Sequence, residues 1–179
     1  MRSVLIIAFL FICSCVHAQL EVAHLKSKGF SATGFGGFLN IALPVSEGNA
    51  VTTEAGFYVF KENDNNVVLV PFLLGYRYTF DGSGTGLYIE PTAGYSIGAT
   101  DIQRYTETGS PIPDPDGDGW LERKAKGVTA GIGTGYIFPG RFAFNIGLRY
   151  QHVFVSGDPT LNLFSLRLSY LLSFGRRDY

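Results

Sequence analysis

The chain of 179 residues is short of charge: charged residues make up 16%, Lys+Arg is 14, Asp+Glu is 15 and the net charge is −1. Without an excess of base it lacks the positive face that a nucleic-acid binder needs, so no nucleic-acid partner is expected. Cysteine is scarce as well, with 2 residues, Cys13 and Cys15, both near the start. After Gln19 no apolar run approaches the roughly 18 residues of a spanning helix. Nor does any long stretch repeat apolar residues at i, i+3, i+4 and i+7, so amphipathic helices are not expected. What is plentiful is Gly at 23, Phe at 15 and Tyr at 10. High aromatic content with low charge excludes a disordered chain.

The first residues read as a secretory signal. Met1-Arg2-Ser3 gives a positive start, Val4 to Val16 is an apolar run, and Val16-His17-Ala18 precedes a cut before Gln19. The run is too short to span a bilayer as a helix, which takes about 20 residues. The expected division is therefore residues 1–18 as signal and 19–179 as one folded domain. Two other readings are a buried N-terminal helix or strand, and a lipoprotein signal cut at Cys15. A cut after Ala18 removes both cysteines, and with them any disulfide, thiol nucleophile or cysteine metal site.

From there on, period two dominates. Val67 to Phe80 alternates Val68, Val70, Phe72, Leu74, Tyr76 and Tyr78 against Leu69, Pro71, Leu73, Gly75, Arg77 and Thr79. Leu87 to Thr100, Val128 to Phe138, Phe142 to Phe154 and Leu161 to Phe174 alternate in the same way. Strict alternation is the signature of strands with two different faces. At about 11 to 14 residues these runs exceed the usual strand of about 5 to 6, and they suffice for tilted spanning strands of about 9 to 11. The breaks carry turn residues, as in Ser46-Glu47-Gly48-Asn49, Asp81-Gly82-Ser83-Gly84 and Gly157-Asp158-Pro159. Phe30 to Val45 and Val51 to Lys61 alternate less cleanly.

The composition of the two faces decides between architectures. A soluble antiparallel sheet carries Lys and Glu on its outward face. Here the polar face is Gly, Ser, Thr and Asn with isolated charges, while the opposite face is large and apolar. Small polar residues inside and large apolar residues outside is the pattern of an outer-membrane barrel. Glu54, Arg77, Glu90, Arg149 and Arg167 are the clear mid-strand charges, and each falls on the small, polar side of its strand. On a lipid face an Arg at mid-depth would cost about 2–4 kcal/mol. These five residues are therefore expected to form an ion network in the lumen.

Both ends of such a barrel lie on the periplasmic side, so the strand count is even. Taking the long segment from Asp101 to Lys126 as an outer loop, the connections alternate outward and inward along the chain. Phe30 then needs a strand before it, and Leu20 to Leu25 is the available segment, with Lys26 to Gly29 as the first outer loop. The expected fold is all-β: an eight-stranded antiparallel up-and-down transmembrane barrel.

The stretch Leu166-Arg167-Leu168-Ser169-Tyr170-Leu171-Leu172-Ser173-Phe174 alternates and ends on an aromatic. It resembles the C-terminal assembly signal of outer-membrane proteins, departing from it at Ser169 and in the tail Gly175 to Tyr179. With Leu73-Leu74-Gly75-Tyr76-Arg77-Tyr78 and Glu90-Pro91-Thr92-Ala93-Gly94-Tyr95, the chain resembles the family of small OmpA/OmpX-like outer-membrane barrels. The resemblance is one of pattern over roughly 150 residues. It implies the bacterial outer membrane as location, its lipid and the barrel-insertion machinery as partners, and no single activity.

Chemistry is sparse. Asp114, Asp116 and Asp118, before Gly119, resemble the start of a calcium loop, but the twelfth position is Ala125 where a bidentate Glu is needed. The alternative is a solvated acidic turn. His24 and His152 are the histidines after Gln19. His152 with Ser156 lies near the outer rim, where barrel-embedded lipid-modifying enzymes work, yet no acid is placed to orient its ring and its parity faces lipid. Gly131-Ile132-Gly133-Thr134-Gly135 is no nucleotide loop, because no helix follows it. The expectation is a non-enzymatic protein without a cofactor, in a structural, adhesive or loop-binding role. A rim enzyme acting on lipid and a soluble lipocalin-like carrier of an apolar ligand are the alternatives. An eight-stranded bore just holds side chains, which argues against a general porin.

Overall fold

A computed structural model describes residues 16–27, 30–62, 65–101, 122–140, 144–155 and 160–171. Eight strands close on one another in chain order: β1 (Val16–Ser27), β2 (Phe30–Ser46), β3 (Asn49–Glu62), β4 (Asn65–Thr79), β5 (Gly86–Asp101), β6 (Glu122–Ile137), β7 (Phe144–Val155) and β8 (Leu161–Leu171). Every neighbouring pair is antiparallel, and β1 pairs with β8 to seal the sheet. Closure leaves no open edge, which is how an all-β chain avoids edge-to-edge association.

Closing a sheet requires stagger. The row of partners from Val16 runs through Ile41, Thr53, Leu74, Ala93, Ala130, His152 and Asn162 and returns to β1 at Lys26, not at Val16. That offset along β1 tilts every strand against the barrel axis. One end, the turn end, carries the Glu47-Gly48 turn and the 80–85 turn; the opposite end is the loop end. Gly48 and Gly82 take positive φ of 72° in these turns, a region that side chains with a Cβ avoid. In the 80–85 turn the Asp81 carboxylate accepts from the Ser83 hydroxyl and N–H and from the Thr85 hydroxyl, and these bonds hold it below the usual carboxylate range.

Three prolines sit inside strands, Pro44 at a register shift and Pro71 and Pro91 beside interruptions of pairing across which register is kept. The β2–β3 ladder has a bulge between Pro44 and Ser46. The β3–β4 ladder passes from Ala55↔Phe72 to Tyr58↔Leu69 around Pro71. The β4–β5 ladder passes from Gly75↔Thr92 to Tyr78↔Ile89 around Pro91. Proline lacks the N–H that a ladder needs, so these gaps follow from the residue.

The strands run longer than their alternation alone suggests. β6 starts at Glu122, so Glu122 to Lys126, expected in the outer loop, are strand and pair with Asp101 to Ile97. β1 extends from Val16 to Ser27 around the expected Leu20 to Leu25, and so takes in Val16 to Ala18. Residues 1–15, the segment 102–121 with Asp114, Asp116 and Asp118, Ser156, and the stretch from Leu172 lie outside the described residues.

The two faces differ as their composition requires. Leu20, Phe35, Leu39, Leu74, Leu87, Val128 and Phe164 are exposed on the wall. At the turn end the wall is aromatic, with Tyr78 against Phe80 (ring centroids 5.3 Å apart) and Tyr136 against Phe138 (4.9 Å). The interior departs from a uniformly small, polar lining. In its loop half it holds large apolar side chains, among them Leu25, Phe60, Leu69, Val153 and Leu163, packed as one cluster with Phe38 and Tyr58. Alternation tells which residues point inward and not how the space is filled. A lumen closed to water accepts either paired charges or hydrocarbon, and this one contains a layer of each.

Candidate functional site

The polar layer lies beside that apolar plug, in the middle and turn half of the barrel. Arg77 comes from β4, Glu90 from β5, Arg167 from β8, Glu54 from β3, Arg149 from β7 and Glu21 from β1. Each occupies an inward position of its strand, and all six are buried. Their contacts form a chain of alternating sign. Arg77 Nη2 is 3.2 Å from Glu90 Oε2, and Arg167 Nη2 is 3.0 Å from the same oxygen. Arg167 Nη1 lies 3.6 Å from Glu54 Oε2. Arg149 then bridges Glu54 Oε1 and Glu21 Oε1, at 2.5 Å each. The chain ties together six of the eight strands.

Neutral groups take up the remaining carboxylate lone pairs. Glu21 accepts from the Tyr58 hydroxyl, from Ser165 Oγ at 2.7 Å and from Gln19 Nε2 at 2.6 Å. Glu54 accepts from Asn40 Nδ2 at 3.3 Å and Gln19 Nε2 at 3.2 Å. Glu90 accepts from Thr52 Oγ1 at 2.7 Å. The guanidinium planes are met by ring faces, Arg77 over Tyr88 at 5.0 Å and Arg149 over Phe38 at 5.5 Å. Buried ions are tolerated only when paired and hydrogen-bonded in this manner.

Glycine makes the room. A Cβ on Gly133 would stand 2.9 Å from Arg167 Nη2, and one on Gly147 would stand 2.5 Å from the Tyr88 hydroxyl. The glycines of the inward face thus sit opposite the largest inward side chains.

Glu54, Arg77, Glu90, Arg149 and Arg167 are the residues singled out from sequence, and the structure brings all five together. It adds Glu21, which sequence reasoning missed. A signal for it existed: two acids against three arginines leave one guanidinium without a counter-charge in a dry interior. Glu21 balances the set at three of each.

His24 and His152 stand apart from the lumen. His152 is on the wall side of β7, where its Nδ1 is 2.8 Å from Asn162 Oδ1 and its ring lies edge-on to Phe154 at 4.3 Å. The orienting group is thus an amide, not an acid. His24, on the wall side of β1, has Thr33 Oγ1 3.1 Å from Nδ1 and Ser31 Oγ 3.3 Å from Nε2.

A closed eight-stranded barrel with an apolar wall and a filled, charge-paired interior has the fold of the small outer-membrane barrels. Among solved structures, the chain is similar to the attachment invasion locus protein Ail of Yersinia pestis, with TM-score 0.58 and 13% identity over 87% of this chain and 95% of that one. It is also similar to neisserial surface protein A, with TM-score 0.56 and 16% identity over 88% and 96%. The outer membrane enzyme PagL follows at TM-score 0.51 and 14% identity, over 84% and 97%. No protein-family model and no curated protein sequence matches the chain.

Proposed function

We propose that this chain is an integral barrel of the bacterial outer membrane, with a closed lumen, acting through its outer surface as an envelope component, an adhesin or a loop-mediated binder. The observation that carries this reading is the apolar wall enclosing a charge-paired interior. A soluble lipocalin-like carrier needs the reverse, a polar wall around an apolar cavity. The lipid of the outer membrane is the partner of the wall. The barrel-insertion machinery is the partner of the C-terminal strand, and no cofactor is called for. Calcium at Asp114, Asp116 and Asp118 stays a separate proposal, which calorimetry on the refolded barrel tests. The test of location is fractionation with gel migration before and after boiling. Recovery in the outer-membrane fraction with heat-shifted migration supports the reading; a protein soluble without detergent overturns it.

A second reading, a rim enzyme acting on lipid, is favoured by one contact, that of His24 with Ser31. The groups that hold the His24 ring are hydroxyls, Thr33 Oγ1 at Nδ1 and Ser31 Oγ at Nε2, where a catalytic triad needs an acid. The expected outcome for His24→Ala and His152→Ala is an unchanged lipid A mass spectrum in cells expressing each variant. A mass change made by the wild type and lost in either variant would establish the enzyme.

A further inference from the structure

The wall of β7, β8, β1 and β2 changes character in a step. One row of outward residues, Leu148, Leu166, Val22 and Phe35, is wholly apolar. The next row toward the loop end is Tyr150, Phe164, His24 and Thr33, and the row beyond is His152, Asn162, Lys26 and Ser31. That last row is polar on all four strands. On β3 and β4 the change is shallower: the pair Lys61↔Asn66 lies directly above the apolar pair Val59↔Val68.

The patch is basic as well as polar. Its ionisable residues are Lys26, His24 and His152, while the acid of these four strands, Glu21, points into the lumen. Its polar groups are also held in place. Asn162 Oδ1 accepts from the Tyr150 hydroxyl at 2.7 Å and from His152 Nδ1 at 2.8 Å. An amide oxygen only accepts, so His152 carries its proton on Nδ1 and Asn162 keeps its NH2 as a donor beside Lys26. A cation flanked by neutral donors, at the height where hydrocarbon ends, matches a phosphate-bearing headgroup.

We infer that this patch binds the phosphorylated headgroup of an outer-leaflet glycolipid, with Lys26 as its cation and Asn162 as a neutral donor. The inference rests on the outer-membrane reading above and gives that membrane contact a defined place and chemistry. The test uses the full chain in phosphatidylcholine nanodiscs doped with lipid A or with dephosphorylated lipid A, and counts retained lipid by native mass spectrometry. Wild type is expected to retain lipid A over the dephosphorylated form. The double variant Lys26→Ala/Asn162→Ala is expected to lose roughly tenfold of that preference, the size of one charge-assisted hydrogen bond. Lys26→Arg is expected to keep it. Both changes lie on the wall, away from the lumen chain, so heat-shifted migration should persist. Equal retention of the two lipids by wild type, or equal preference in wild type and double variant, overturns the headgroup site and leaves the membrane reading standing. Failure of the wild type to enter any nanodisc overturns both.

Discussion

At the scale of single residues, the lumen is a problem in charge pairing. Glu90 holds two guanidiniums, Arg77 at 3.2 Å and Arg167 at 3.0 Å. Glu90→Ala is therefore expected to destabilise the barrel by about 3–5 kcal/mol, because it leaves buried positive charge without its partner. The measurement is the denaturant midpoint in detergent; a midpoint equal to wild type would show that the chain contributes nothing to stability. The inward side of most of these charges was legible because their strands contrast a large apolar face with a small polar one. Glu21 escaped for a physical reason. In β1 the inward set includes Leu25 and the outward set includes His24 and Lys26, so near the loop end the usual contrast of faces is inverted. The sequence signal was weakest where the apolar plug meets the polar wall patch.

At the scale of strands, period two located the strands, and turn residues located the breaks between them. Strand ends were less legible, because pairing depends on a partner that the local sequence does not contain. Glu122 to Lys126 looks like loop by its charges, yet it is strand because residues Ile97 to Asp101 offer it a ladder. Prolines in strands were readable as residues, but the interruptions of pairing around Pro71 and Pro91 emerge only once neighbours are known. Among the described residues the β5–β6 ladder runs to Asp101↔Glu122, which sets these two residues opposite each other. Joining residues 101 and 122 with a short Gly-Asn linker is therefore expected to leave heat-shifted migration intact. Loss of that shift would mean that the excised segment contributes to closure.

At the scale of the whole molecule, the layered interior decides what can pass. The turn half is crossed by linked ion pairs and the loop half is filled by Phe60, Leu69, Leu163 and their neighbours. Both barriers lie on one axis, so steady ion flow should be absent. Planar-bilayer recordings of the purified protein are expected to stay at baseline, and reproducible open steps would contradict a closed lumen. The charge chain also bears on how the barrel is completed. Among the described residues, strands β2 to β8 bring three buried arginines and two buried glutamates to the inward face, and the third acid, Glu21, arrives on β1. A sheet not yet sealed between first and last strand therefore carries one uncompensated positive charge on the face it is about to bury. Docking of β1 sets Glu21 against Arg149 and Ser165, and this six-residue charge chain becomes neutral in the same step that joins the ends. Correct closure and electroneutrality thus coincide, and a sheet joined out of register would bury an unmatched ion.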